Sequence, residues 1–485
     1  FFHQRKGGIV LPRESRIDRQ IIISAKTPRE VVKDDQWVVV KITEWTAWPE
    51  PLYGRLEEVL GSEGDPGLDV LLIVRDHGVT AEFPDKVEKE ADGIAAGLTD
   101  EEIARRRDLR DQLIVTIDPE RAKDFDDAVS LEMTDKGRYR LGVHIADVSH
   151  YLPQGSAMDE EALERANSIY PVDRVIPMLP ERLSNELCSL RPREDRPAMS
   201  VVMEVNSQGR VLHHEVFRSV IHSAHRLTYR QAQDLFGGAA PSETAEFADA
   251  HEMLFRMREL AQILAARRQR QGSLDMDIPE TEVLLDEESR VLDVRRSERW
   301  ESHRLIEQFM ILANETVARH LEDRELPLLY RIHEPPDPEQ LERLRPFLKA
   351  IGVNLPARQK EVSQTTLQRI LDRLDRLEAG SMFHILVLRV MMRAIYSPKN
   401  LGHYGLASAC YCHFTSPIRR YPDLVVHRVL GATFDGKEIS KRTREEWKER
   451  FAEIGRHATS REQRADEIER DTVKVKSLEF MRKDV

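Results

Sequence analysis

The sequence predicts an α+β protein, in which a partial OB-type β-barrel precedes a large mixed α/β catalytic domain. Three observations lead to this prediction. Short apolar runs separated by turn residues occupy the first 62 residues or so. Strand-like runs return between residues 111 and 222, and helical periodicity dominates from about residue 242 onward. A β module followed by strands and then by helices is typical of an α+β architecture.

The same patterns divide the 485 residues into three parts, which agrees with the two or three domains expected at this length. Residues 1–62 form the partial barrel, with strands predicted near 9–10, 19–23, 37–42 and 53–60. Residues 63–110 form a helical connector, in which Thr99 is the predicted N-cap of a short helix. Residues 111–485 form the catalytic domain.

Within the catalytic domain, the pattern predicts a hairpin with strands over 128–133 and 139–148, joined by a turn at 135–137. Two further strands are predicted over 199–205 and 210–222. The predicted helices cover residues 158–168, 247–271, 299–323, 338–351, 365–377, 382–395, 422–430 and 442–481.

Composition excludes several classes of protein. Charged residues make up 33% of the chain and apolar residues 40%, and no apolar run is long enough to span a membrane, so we expect no membrane partner. The net charge of −12 argues against a protein that coats nucleic acid, although a local basic channel remains compatible with 73 Lys and Arg residues. Three cysteines make a disulfide framework improbable and favour a cytoplasmic location. The Cys410–His413 segment could indicate zinc, but a lone C-x-C-H favours small buried cysteines.

The central motif is an acidic loop between two apolar runs. Asp118, Asp124, Asp126 and Asp127 have the spacing D-x5-D-x-D-D. Carboxylates that converge between buried strands repel each other unless a cation neutralises them, which predicts a site for magnesium or manganese. A solvated acidic loop is the alternative. A calcium loop of the EF-hand type is excluded, because Val129 occupies the position that requires glycine.

A second constellation lies far downstream, in HFTSPIRRYPDLVVHR, residues 413–428. Thr415 or Ser416 suits an N-cap and Pro417 a first helical position, which would place Arg419 and Arg420 in a first turn beside free N–H groups. Such a turn suits phosphate. A capped helix whose arginines pair with nearby acids is the alternative. Together with an acidic metal loop, the pattern indicates phosphoryl chemistry.

Several long segments then resemble the ribonuclease II/ribonuclease R (RNB) family, and bacterial ribonuclease R in particular. They are TIDPERAKDFDDA, GVHIADVSHYL, RANSIYPVDRVIPMLP, LSNELCSL, IEQFMILANETVA and HFTSPIRRYPDLVVHR, in the family's order over nearly the whole chain. The resemblance implies an RNB-type catalytic domain and processive 3′→5′ hydrolysis of single-stranded RNA to nucleoside 5′-monophosphates, by two-metal-ion catalysis with Mg²⁺ or Mn²⁺. It also implies that the amino-terminal barrel is cold-shock-like.

The resemblance assigns roles to individual residues. All four aspartates, Asp118, Asp124, Asp126 and Asp127, are implied catalytic residues and metal ligands, with Asp118 and Asp127 as the most direct ligands and Asp126 as the most sensitive to substitution. Arg419 would stabilise the scissile phosphate. The implied substrate-binding residues are Tyr170, which would stack on the terminal base, Glu307, which would lie near ribose hydroxyls, and Arg420 and Glu469.

Further expectations concern context and alternatives. We expect the family's first cold-shock barrel and its S1-type barrel to be missing from this sequence, a monomer, and an RNA-decay complex as a candidate partner. His144 and His150 lie on a half-buried strand and are predicted to be structural. Two other functions stay open: a metal-dependent nuclease that acts on DNA, and a catalytically impaired RNA-binding module. Intact D-x5-D-x-D-D and S-P-I-R-R segments argue against impairment.

Overall fold

The computed structural model describes the chain except for residues 5–6, 14–16, 24–30, 239–244, 275–280, 351, 353–361, 375–385, 435, 437 and 484–485. Its strands fall into two principal sheets and two short hairpin-like pairs. The α+β prediction, with an OB-type sheet before a larger mixed domain, is confirmed. Among the described residues, no helix combines the length and apolarity that crossing a membrane requires.

The first sheet has five strands in the order β1-β2-β3-β5-β4. Its strands are β1 (Phe2–Gln4), β2 (Gly7–Val10), β3 (Ile21–Ile23), β4 (Gln36–Glu44) and β5 (Leu52–Ser62). A separate small core fills it, with Phe1, Ile23 and Leu52 among the buried side chains. Gly8 is required there, because a Cβ at this position would lie 2.1 Å from the Phe1 ring. The barrel is therefore an independent apolar unit.

Three helices follow: α1 (Leu68–Asp76), α2 (Asp85–Asp92) and α3 (Asp100–Ala104). The predicted cap at Thr99 is confirmed, since the Glu102 N–H donates to the Thr99 hydroxyl and the Thr99 N–H donates to the Glu102 carboxylate. The structure thus contains helices in this range, while the connector and its boundaries at 62 and 110 stay predictions.

The second sheet has seven strands in the order β12-β7-β8-β9-β10-β11-β6 and forms the floor of the larger domain. Its strands are β6 (Arg107–Asp108), β7 (Val115–Asp118), β8 (Asp127–Met133), β9 (Tyr139–Ala146), β10 (Asp195–Val205), β11 (Val211–His222) and β12 (His225–Thr228). The predicted hairpin is β8–β9. Most side chains of β7, β9 and β10 are buried, so helices cover this sheet rather than solvent.

The remaining elements complete the domain. The helices are α4 (Val148–Tyr151), α5 (Ala157–Arg165), α6 (Tyr229–Phe236), α7 (His251–Gln271), α8 (Glu301–Glu322), α9 (Pro338–Ala350), α10 (Gln364–Leu374), α11 (386–390), α12 (Tyr421–Phe434) and α13 (Lys441–Lys483). The short strands are β13 (Thr281–Leu285), β14 (Val291–Arg296), β15 (Tyr330–Ile332) and β16 (Ile395–Ser397). Helix α7 packs against β8, and α8 packs against β9.

Two sequence predictions differ from this architecture. The helix predicted over 382–395 is wrong at its end, because residues 386–390 are helical but Ile395 begins β16, which pairs with β15; residues 382–385 lie outside the described part. Pairing with a distant strand overrides a local helical pattern here. The β13–β14 hairpin was not predicted; its strands are short, and most of their side chains are exposed or half-buried.

Candidate active site

The acidic loop joins two neighbouring strands of the seven-stranded sheet. Asp118 is the last residue of β7 and Asp127 is the first residue of β8, while Asp124 and Asp126 lie in the connection between them. The strands are antiparallel, with Val115 opposite Val129, so the chain leaves and re-enters the sheet at one end. The prediction of a loop between buried strands is confirmed. The loop places the aspartates at one end of β7 and β8, which is called the acidic edge below.

Burial makes negative charge costly at this edge. Burial, and then the charge of Asp127, raises the pKa of Asp118 to about 8. Burial also raises the pKa of Asp127 to about 6, against the opposing charges of Arg419 and Arg420. The Asp118 Oδ2 atom is buried without a hydrogen-bond partner among the described residues. A cation bound between Asp118 and Asp127 would therefore relieve both desolvation and repulsion.

Asp126 has a different environment, because a distant turn holds its carboxylate. The Ile418 N–H donates to Asp126 Oδ1 at 2.9 Å, and Arg419 Nε lies 3.5 Å from Oδ2. Asp126 is buried, whereas the Arg419 side chain is 46% exposed. Burial raises the pKa of Asp126 well above its usual range, and the Arg419 charge opposes that shift. The exposed guanidinium is thus anchored next to the acidic loop and stays accessible to an anion.

The turn that carries Arg419, and the helix that starts near Pro422, agree with the prediction, but the partners of the N–H groups in the turn do not. Residues 417–419 form a single turn, and helix α12 begins only at Tyr421, so Pro422 lies in its first turn, where proline needs no N–H partner. Ser416 is not an N-cap, because no helix begins directly after it, and its N–H donates to Asp423 Oδ1 at 2.8 Å. The predicted free N–H groups are therefore occupied by aspartate side chains.

Arg420 pairs with a carboxylate outside the acidic loop. Its Nε and Nη2 atoms donate to the two carboxylate oxygens of Asp423, both at 2.8 Å, and Asp423 is fully buried. This bidentate pair is the arrangement that the alternative interpretation of the segment described. It fixes the start of α12 and leaves Arg419 as the arginine that faces the aspartates. The substrate-binding role of Arg420 stays a prediction.

Tyr170 and Glu469 lie together beside Arg419. The Tyr170 N–H donates to Glu469 Oε1 at 2.8 Å, and the Tyr170 hydroxyl donates to Asp124 Oδ2 at 3.4 Å. A cavity of about 210 Å³ opens between the Tyr170 segment, the Arg419 turn and α13. The structure therefore brings two predicted substrate-binding residues to the edge of the acidic loop.

Glu307 lies on α8, and Arg299 Nη2 donates a hydrogen bond to its Oε2 atom at 2.5 Å. One turn earlier on the same helix, His303 stacks on the ring of Tyr229 with 4.1 Å between ring centroids. Burial and the charges of Asp127 and Asp118 raise the pKa of the Tyr229 hydroxyl. Tyr229 was not predicted from the sequence. It follows Thr228, which pairs with Asp118 across the sheet, so it lies close to the acidic loop.

The fit of a metal ion can be judged on these donors. Within the described ranges, no three His, Cys, Asp or Glu side chains already converge as a metal cluster. Asp118 and Asp127 have the buried, repelling carboxylates that a divalent cation stabilises, so these two fit the group. Asp126 is engaged by Ile418 and Arg419. The wider set of four metal ligands stays a prediction.

The remaining candidate residues are structural. His144 is buried, with Ser130 Oγ 3.0 Å from Nε2 and Ser200 Oγ 2.8 Å from Nδ1, within the sheet. His150 contacts Glu102 at the surface of α4. Cys410 and Cys412 are free and buried, which agrees with the interpretation that they are small core residues.

A small β-barrel joined to a mixed domain with this acidic edge defines a barrel-plus-RNB architecture, and family comparisons agree. The RNB domain model matches residues 106–436, and a cold shock domain model matches residues 9–84. The chain belongs to the RNB family.

Ribonuclease R of Aquifex aeolicus is 42% identical over 98% of this chain and 66% of its own length, and ribonuclease R of Thermotoga maritima is 40% identical over 99% and 68%. The structure of Mycoplasma genitalium RNase R in complex with ribose methylated single-stranded RNA aligns with a TM-score of 0.87 and 29% identity, over 96% of this chain and 72% of that one. The predicted resemblance to ribonuclease R is confirmed. The chain spans about two thirds of the length of these curated relatives.

Proposed function

We propose that this chain is the catalytic part of an exoribonuclease that removes nucleotides from the 3′ end of single-stranded RNA. The observation that carries the proposal is the contact between Arg419 and Asp126, beside the Asp118–Asp127 pair. Carboxylates that need a cation, next to an exposed guanidinium, suit a phosphodiester whose negative charge increases in the transition state. Similarity to proteins named ribonuclease R favours RNA as the substrate.

The division of labour follows from the environments of the side chains. Asp118 and Asp127 would hold divalent metal, with Mg²⁺ or Mn²⁺ as the candidates, and the metal when bound would lower the pKa of water and neutralise phosphate charge. Asp126 orients Arg419 toward the same space. Tyr170 presents a partly exposed ring at the cavity edge, where a terminal base can stack. Two-metal catalysis, processive action and nucleoside 5′-monophosphate products are finer parts of the same proposal.

A labelled-oligonucleotide time course tests the proposal. The protein is incubated with magnesium and either a 5′-labelled RNA or the DNA of the same sequence. A parallel control reaction contains a chelator. Stepwise shortening of RNA alone, abolished by chelator, is expected. Equal shortening of DNA would favour the metal-dependent DNA nuclease, and RNA binding without shortening would favour the impaired RNA-binding module.

We also propose that the protein is cytoplasmic and monomeric and works with an RNA-decay complex. Three free, buried cysteines are compatible with a reducing compartment. Size-exclusion chromatography with light scattering tests the monomer, and co-purification with and without ribonuclease treatment tests the complex. A dimer in solution, or no associated decay protein, would contradict the corresponding part.

A further inference from the structure

Arg226, which lies on β12, forms hydrogen bonds to the connection between Asp118 and Asp124. Arg226 Nη2 donates to the carbonyl oxygens of Pro119 at 2.6 Å and Glu120 at 2.9 Å. Strand β12 runs parallel to β7, so Arg226 stands two positions before the residue that pairs with Asp118. Its guanidinium is therefore fixed to the sheet, and it fixes the first residues of the loop.

The same guanidinium also reaches the far end of the loop. The Cζ atom of Arg226 lies 5.5 Å from the centroid of the ring of Phe125, the residue between Asp124 and Asp126 in sequence. Among the described residues, Arg226 forms no ion pair within 4.0 Å, so its hydrogen bonds go to the backbone of the acidic loop. An arginine that bridges two successive carbonyls constrains the backbone more than a single hydrogen bond does.

Ser189 forms hydrogen bonds to the second half of the loop. Its Oγ accepts a hydrogen bond from the Phe125 N–H at 3.0 Å and donates one to the Lys123 carbonyl at 2.7 Å. The neighbouring Leu190 N–H donates to the Phe125 carbonyl at 3.0 Å. Ser189 is fully buried, so water cannot replace these bonds. The backbone on either side of Asp124 is thereby tied to a segment more than sixty residues away.

We propose that Arg226 and Ser189 are positioning residues that set the distance between Asp118 and the later aspartates, and thereby the affinity of the site for divalent metal. This inference rests on the proposed function, because it assumes that the aspartates bind metal. Residues that orient metal ligands without touching the metal commonly change affinity when they are altered. Neither residue contacts the cavity next to Arg419, so neither is assigned a contact with RNA.

The test uses the whole chain and Mn²⁺ alone as the probe. Arg226→Gln, Arg226→Lys and Ser189→Ala are compared with wild type, and Arg210→Gln is the matched control, because Arg210 is an exposed arginine directly before β11. Free Mn²⁺ is counted by electron paramagnetic resonance without RNA, and hydrogen exchange is followed in a peptide that covers residues 119–125.

We expect Arg226→Gln and Ser189→Ala to bind Mn²⁺ about tenfold more weakly and to exchange faster over residues 119–125. The Mn²⁺ affinity of Arg226→Lys should lie between that of these two variants and that of wild type. Its ammonium group keeps the charge but reaches two carbonyl oxygens less well. Arg210→Gln should match wild type. Cleavage by the first two variants should recover when Mn²⁺ is raised about tenfold.

Three outcomes would overturn the proposal: wild type that binds no Mn²⁺, variants with faster exchange but wild-type Mn²⁺ affinity, and variants with lower melting temperature only. If Arg226→Gln does not fold, the Arg226→Lys and Ser189→Ala measurements decide. Wild type that binds Mn²⁺ but cleaves no RNA, with weakened binding in the variants, would contradict the proposed function and leave the positioning roles intact.

Discussion

Arg419 and Arg420 are adjacent in sequence but have opposite environments, so the same substitution should affect them differently. Arg420 forms two 2.8 Å bonds to the fully buried Asp423, and removing one member of a buried pair costs about 3–5 kcal/mol. Arg419 is 46% exposed and lies 3.5 Å from its partner, a geometry that contributes about 0–1 kcal/mol. We therefore expect Arg420→Gln to lower the free energy of unfolding by several times more than Arg419→Gln does.

Catalysis should show the reverse order. Arg419→Gln removes a charge aimed at the phosphate, and loss of one such group lowers the rate about 10²- to 10³-fold. Urea denaturation and a 5′-labelled RNA time course, run on both variants, measure the two effects separately. The double variant Arg420→Gln/Asp423→Asn should regain part of the lost stability, because it no longer buries an unpaired carboxylate. A stable Arg420→Gln protein that fails to bind RNA would refute this reasoning and restore the predicted substrate contact.

Three further predictions concern the acidic loop and its neighbour. Asp126→Asn should bind RNA but not cleave it, because the amide oxygen can still accept from the Ile418 N–H while the charge beside Arg419 is lost; unchanged turnover would contradict this. Tyr170→Ala should leave a longer limit product on a sequencing gel, and an identical ladder would exclude base stacking. Burial raises the pKa of Asp118 to about 8, so its protonated form stabilises the metal-free fold. That contribution is complete below about pH 4 and is lost as pH rises through about 8. The melting temperature of the metal-free protein should be lower at pH 8.5 than at pH 6, and this difference should be smaller in Asp118→Asn. A higher melting temperature at pH 8.5 would contradict this assignment to Asp118.

Local patterns predicted most of the sheet correctly. The β8–β9 hairpin follows from two strand-like runs on either side of a turn with Gly137, which has a positive φ of 65°. The placement of the four aspartates follows from the apolar runs on either side, because such runs form buried strands and leave only the loop for charge. These features depend on residues close in sequence, which is why one chain sufficed to predict them.

Features that depend on distant contacts were not predicted. A turn around Arg419 was predicted, but the hydrogen bond from the Ile418 N–H to Asp126, 292 positions earlier, was not, because no local rule anticipates it. The role of Tyr229 depends on the parallel pairing of β12 with β7, which the sequence does not reveal. Arg226 and Ser189 act on carbonyl and N–H groups, which have no side-chain signature at all.

The sequence contains a local acidic partner for the arginines, but its spacing does not show which of the two arginines pairs with it. Arg420 and Asp423 stand three positions apart at the start of an apolar helix, a spacing that favours an ion pair between them. Arg419 stands four positions before the same Asp423, but Arg420 occupies both carboxylate oxygens of that residue. Because Arg420 pairs with Asp423, Arg419 pairs with a residue that is distant in sequence. For Arg419 that partner is the buried Asp126, and the resulting contact joins the two halves of the active site only when the whole domain has folded.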